Sequence, residues 1–244
     1  MFSNDIDRPT SARIHNWLLG DSTNYAPDRV AGTALTRMIP NAPELARASR
    51  AYVIAEVERQ ATAGCGQFLD LGCGLPHTAL NVHEAARARN RNARTVYVDH
   101  DRQVLAFART VLEEDPSERA VEHDLTRPGI LSHPDVTAHL TLDEPVTVLA
   151  AGVLEHLPDD AVTALLRELG GLPDGSRLVA CSLTCDSKAV AARTNTVMAK
   201  AAHGVWGRMR TTRELAALLP MTDELPLSRD SETAYLAADS MPLP

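Results

Sequence analysis

Lysine is almost missing from this chain: Lys188 and Lys200 are the exceptions among 24 basic residues, the rest being arginine. The arginines are interspersed with 32 acids, for a formal net charge of −8. Non-specific nucleic-acid binding runs on clustered cations that neutralise phosphates, so no nucleic-acid partner is expected, although a local basic cleft stays open. Aromatics are scarce, at 4% of residues, and form no platform for stacked bases. No window approaches the run of ~18 apolar residues that spans a bilayer, and Met1 to Ser11 carries no apolar signal core. A soluble, cytoplasmic protein with no membrane partner is expected. Cysteines number four, and Cys181 and Cys185 have no matching second pair. A zinc site needs two spaced ligand pairs, so the cysteines read as small hydrophobes and no metal is expected. Neither a G-x-S-x-G elbow nor a phosphate-binding Walker loop occurs, which removes the common hydrolase and NTPase readings.

What is present is an alternation of strands and helices without repeats or low-complexity linkers. At 244 residues the chain is long enough for one large α/β domain with a helical appendage. Leu45, Ala48, Tyr52, Ala55 and Arg59 recur at helical spacing and predict a helix over 44–63, stopped by Gly64. Strands are predicted at 67–71, 95–98, 119–122, 145–151 and 177–183. Helices are predicted at 78–90, at 102–114 capped by Asp101, from Asp159 to the Gly170-Gly171 stop, and at 186–203 and 212–219. This alternation implies a doubly wound, mostly parallel sheet covered on both faces. Two weaker strand candidates, 222–227 and 233–238, would form an antiparallel hairpin at one edge. The expected division is an N-terminal helical cap, 1–63, on a Rossmann-like core, 64–244.

Open α/β sheets bind ligands at the carboxyl ends of their strands, so each strand end is a candidate site. The first leaves Asp70-Leu71-Gly72-Cys73-Gly74, where glycines let the backbone pass close under a ligand. The dinucleotide fingerprint asks for a third glycine, but His77 stands there, and Pro76 removes a backbone donor. The second strand ends at Asp99, whose carboxylate matches a ribose diol. Helix capping is the alternative role, but Asp101 is better placed for it. The third strand ends at Asp124-Leu125, an acid able to accept from an adenine amino group beside a leucine that packs on its ring. A solvated turn aspartate explains Asp124 nearly as well. The fourth ends in small residues, Ala150, Ala151 and Gly152, leaving room for a ligand.

Asp70-x-Gly72-x-Gly74, the acid Asp99 and the stretch Val153 to Leu157 together resemble the class I S-adenosylmethionine-dependent methyltransferases. Arg8 to Ile14, Trp17 to Gly20, Asn24-Tyr25, Arg47 to Tyr52, Gly74-Leu75-Pro76 and Asn81 to Glu84 are similar to an actinobacterial methyltransferase family long catalogued as a domain of unknown function. The resemblance implies a Rossmann-like class I fold and S-adenosyl-L-methionine as cofactor, with the methyl acceptor not established; a small-molecule acceptor is expected because no basic stripe or aromatic platform points to nucleic acid. The resemblance would place Asp70, Gly72 and Gly74 beneath the methionine portion. Asp99 would lie at the ribose with His100 beside the adenine, Asp124 and Leu125 at the adenine edge, and Ala151 and Gly152 at the amino group. It would bring Arg13, Asn24 and Tyr25 near the cofactor or the acceptor. For a general base, His156 and Tyr25 are the candidates, with His15 a further one. Trp206, Met209 and Met221 either line an apolar acceptor pocket or fill a core. A nicotinamide-dependent oxidoreductase or epimerase, and a non-catalytic cofactor-binding protein, remain the alternatives.

Overall fold

The computed structural model describes residues 6–113, 115–219, 225–226 and 235–243. Three helices come first: α1 (Ser11–Leu19), α2 (Ala26–Met38) and α3 (Ala42–Thr62). The core then runs β1 (Gln67–Leu71), α4 (Val82–Arg89), β2 (Arg94–Asp99), α5 (Arg102–Val111), β3 (Glu118–Glu122), α6 (Pro134–His139) and β4 (Thr147–Ala151). After a single 3-10 turn, Leu154–His156, come α7 (Asp159–Leu169), β5 (Arg177–Thr184), α8 (Lys188–Ala201), α9 (Thr212–Leu218), β6 (Leu225–Pro226) and β7 (Tyr235–Pro242).

The strands form one sheet in the order β3-β2-β1-β4-β5-β7-β6. Pairing is parallel from β3 to β5, and β7 is antiparallel to both β5 and β6. The expected doubly wound sheet and its antiparallel edge are therefore present. Of the hairpin's expected residues, 222–224, 227 and 233–234 lie outside the described ones. All five residues of β1 are buried, as a strand covered on both faces requires. Alternate side chains serve opposite cores. Phe68, Tyr97, Leu149 and Val179 face the layer of α1 to α5 and α8. Leu69, Leu71, Val98, Val148 and Leu178 face the layer of α6, α7 and α9. The strand order reverses between β1 and β4, which opens a crevice at their carboxyl ends.

The helix expected over 78–90 begins only at Val82. Asn81 caps it: the Asn81 backbone N–H donates to Glu84 (2.6 Å), while the Asn81 side chain accepts from the N–H of His77 (2.9 Å). Residues 75–81 are thus a loop, freed to border the crevice. Helix α6 was not predicted. It has six residues and opens with Pro134, too short to show a period. The N-terminal helices pack closely because Gly32 lacks a Cβ, which would lie 2.3 Å from the ring of Trp17.

Candidate active site

A cavity of about 690 Å³ opens at the reversal of strand order, a volume suited to a small ligand. Its floor is the carboxyl ends of four neighbouring strands: Asp70, Gly72 and Gly74, then Asp99 and His100, then Asp124 and Leu125, then Ala151 and Gly152. Facing them are His15, Asn16 and Leu19 of α1 and Ser49, Arg50 and Val53 of α3. The turn after β4 adds His156, and the segment between α8 and α9 adds Val205, Trp206 and Gly207.

The floor is built from its residues. Gly72 sits at φ +65, and a Cβ there would lie 2.4 Å from the Val153 side chain. Glycine is thus required twice over, by conformation and by the close approach of the β4 loop. The Gly74 N–H donates to Asp99 Oδ2 (3.1 Å), while the N–H groups of His100 (2.8 Å) and Asp101 (2.9 Å) donate to Oδ1. A carboxylate offers about four acceptor positions, so Asp99 retains capacity for a ligand hydroxyl. Burial pushes its carboxyl up, against the downward pull of those N–H bonds. Asp70 is also buried, which raises it to about 7; the positive charge of Arg50 opposes the rise and the charge of Asp99 adds to it. Asp124 accepts from the hydroxyl (2.7 Å) and the N–H (3.0 Å) of Thr126, which hold its carboxyl low and ionised. It is therefore a turn aspartate and a cavity residue at once.

The opposite wall carries two uncharged imidazoles. Burial lowers His15 to about 4, helped by Arg50, His156 and His77. Burial likewise lowers His156 to about 4, helped by His100. The His156 ring meets Trp206 edge to face, with centroids 5.6 Å apart. Its turn is gripped from outside the cavity by Arg210, 2% exposed, which donates to the carbonyls of Leu154 and Leu157 (2.6 Å each) and to Asp159 (2.7 Å). Gly207 lies so close to this turn that a Cβ would be 2.1 Å from the Glu155 carbonyl oxygen. That carbonyl accepts from the Arg208 N–H at 2.7 Å.

Three expected residues are absent from the cavity wall. Arg13 donates from Nε to Asp28 (2.9 Å), both groups being buried, and also to Gln103 and to the Arg8 carbonyl. Its guanidinium carbon lies 5.2 Å from the ring centroid of Tyr25. Tyr25 is 41% exposed and donates its N–H to Asp28 (2.8 Å). Asn24 donates to Asn16 (3.0 Å) and to the Asp21 carbonyl (2.7 Å). These three stitch α1 to α2 and set Asn16 in the wall, while His15, Asn16 and Arg50 face the cavity in their place. On α1, Ile14 and His15 stand at i+1 and i+2 from Arg13, positions that do not share its face of the helix. Nothing local marks Arg50 or Arg210. His83 lies in the first turn of α4, where its Nδ1 meets the Tyr97 hydroxyl at 2.8 Å. His77 belongs to the loop bordering the cavity, 3.6 Å from Asp21.

A glycine turn and an acid on adjacent central strands, with small residues at the end of β4, line the crevice of a Rossmann-like α/β fold. Residues 2–226 match a family model described as S-adenosyl methyltransferase, and the chain belongs to that family. A Thermobifida fusca protein described as a methyltransferase is similar at 29% identity and TM-score 0.82, with 96% of this chain and 95% of that one covered. A DUF574 family protein from Streptomyces avermitilis is similar at 28% identity and TM-score 0.84, covering 96% and 98%. Human N-acetylserotonin methyltransferase in complex with S-adenosylmethionine shares the fold at 16% identity and TM-score 0.50, covering 94% of this chain and 62% of that one. No curated protein is significantly similar. The chain is an S-adenosylmethionine-dependent methyltransferase, with S-adenosylmethionine as its cofactor. Among the described residues, no helix is long and apolar enough to cross a membrane.

Proposed function

We propose that this enzyme methylates an O–H or N–H group of a small molecule held between the strand-end floor and the α1–α3 wall, with His156 accepting the acceptor's proton. The observation that carries this reading is one cavity bounded by four successive strand ends on one side and two uncharged histidines on the other. The cofactor, when bound, supplies an electrophilic methyl group on a sulfonium. Asp99 takes the ribose hydroxyls with the acceptor capacity its three N–H bonds leave free, and Asp124, ionised, accepts from the adenine amino group beside Leu125. Gly72 and Gly74 keep the floor low beneath the methionine portion, and Ala151 and Gly152 leave space for the ammonium beside Asp70.

A general base must be within reach of the proton and unprotonated at working pH. His156 meets the second condition from about pH 5 upward, and Trp206 together with the Arg210 grip fixes its ring. The N-terminal helices exclude water from above, which favours in-line transfer between positioned groups. Arg13, Asn24 and Tyr25 support that cap from behind. The test is methyl transfer to a panel of small phenols and amines, read by mass spectrometry, with wild type and His156→Gln. A methylated product that the variant forms at least ~100-fold more slowly, the usual scale of general-base loss, is expected. Equal rates would remove His156 from the mechanism.

A further inference from the structure

Arg50 is the arginine that α3 contributes to the cavity wall. It stands within electrostatic reach of Asp70 and His15. One terminal nitrogen donates to the carbonyl of Leu80, which fixes the guanidinium. Its Nε is buried and has no hydrogen-bond partner among the described residues. A buried donor left unpaired costs stability, and in a folded protein it calls for a ligand or a water. The guanidinium fork is shaped for a carboxylate, which it holds through two parallel N–H donors.

Asp70, the penultimate residue of β1, lines the same cavity close enough for its charge to interact with that of Arg50. One end of the cavity therefore offers a fixed cation and a carboxyl of opposite sign. That pair matches the two charges of an α-amino acid, its ammonium toward Asp70 and its carboxylate toward Arg50. A phosphate would suit Arg50 but would be repelled by Asp70 and Asp99, so the geometry favours a zwitterion over a plain anion.

We propose that Arg50 binds the carboxylate of the methionyl end of the cofactor and is the residue by which this enzyme distinguishes S-adenosylmethionine and its product from nucleosides lacking the α-amino acid. The inference rests on the cofactor reading of the cavity and adds to it a residue for which no role was foreseen. Its loss should act on one end of the ligand only. Hydrogen bonds to charged groups contribute about 1.5–3 kcal/mol, so removing the fork should weaken binding of the complete ligand about 10- to 100-fold.

The experiment is calorimetric titration of wild type, Arg50→Met and Arg50→Lys with three ligands: S-adenosylhomocysteine, its decarboxylated analogue and 5′-methylthioadenosine. Arg50→Met should lose 10- to 100-fold for S-adenosylhomocysteine yet stay within about twofold of wild type for the two ligands without a carboxylate. Arg50→Lys, which keeps the charge but not the fork, should recover only part of the loss. Retained binding of 5′-methylthioadenosine also shows that the variant is folded. Parallel loss for all three ligands would make Arg50 structural and overturn the proposal, as would unchanged binding of S-adenosylhomocysteine. A wild type that binds 5′-methylthioadenosine but not S-adenosylhomocysteine would overturn the zwitterion site while leaving the nucleoside floor standing. Failure of wild type to bind any of them would overturn the cofactor reading together with the proposal.

Discussion

Lowering the pH from 8 to 6 should weaken S-adenosylhomocysteine binding about tenfold, through Asp70. In the free protein its carboxyl is held up at about 7 by burial, with Asp99 adding to the rise and Arg50 opposing it; Tyr97 and Cys73 are its other titratable neighbours. A ligand ammonium placed beside it favours the ionised form, so binding requires whatever proton Asp70 holds to leave. The ionised fraction of a group titrating near 7 falls from about 0.9 at pH 8 to about 0.1 at pH 6, which is about 1.4 kcal/mol of binding free energy. The sign follows: the ligand-free state binds more protons, so affinity rises with pH up to about 7 and levels above it. Near pH 7 about half a proton should be released per ligand bound, measurable by calorimetry in buffers of different ionisation enthalpy. Asp70→Asn should bind more weakly at pH 8 and lose the slope between pH 8 and 6. 5′-Methylthioadenosine, which has no ammonium, should show little slope with wild type. Flat affinity for S-adenosylhomocysteine, proton uptake, or an equal slope for the nucleoside would refute the role given to Asp70.

Two further outcomes follow from buried groups. His15 and His156 each drop from 6.5 to about 4 on folding, so the unfolded chain binds more protons and stability is lost as pH falls from 6.5 towards 4. That is about 3 kcal/mol per ring at the acid end, partly offset by Asp70, which shifts the opposite way. Urea unfolding of a His15→Gln, His156→Gln double variant should show a shallower loss than wild type between pH 6.5 and 4.5, and parallel curves would count against burial of the two rings. Arg13→Met would strand the buried carboxylate of Asp28 and should cost about 3–5 kcal/mol in the same assay. Its effect on S-adenosylhomocysteine affinity, under saturating folding conditions, should stay within about threefold, because Arg13 is not in the cavity wall; a loss comparable to that of Arg50→Met would mean that Arg13 reaches the ligand after all.

The floor of the site was legible because its chemistry is local. A strand, a glycine turn and a helix lie in one short stretch, and Asp99 could be told from its neighbour because Asp101 does cap α5, accepting from the Gln103 N–H at 2.8 Å. The start of α4 was also readable in principle, since Asn81 and Glu84 have the spacing of a capping box. The wall opposite was not, because its assignments depend on partners far away in sequence. Arg13 is drawn out of the cavity by Asp28 and by Gln103, 90 residues further on. Arg50 is fixed by the carbonyl of Leu80, and His156 by a guanidinium at position 210. Periodicity and motif spacing carry no information about such contacts, so a residue quoted for its resemblance, such as Arg50, had no visible task until the sheet closed around it.

The central claim is that the four strand ends form one nucleoside-binding floor for S-adenosylmethionine, and calorimetric titration with S-adenosylhomocysteine and NAD as matched ligands tests it most directly. The account predicts micromolar binding of S-adenosylhomocysteine, none of NAD, and loss of the former in Asp99→Ala. A folded protein that ignores S-adenosylhomocysteine, or that binds NAD in its place, would contradict it.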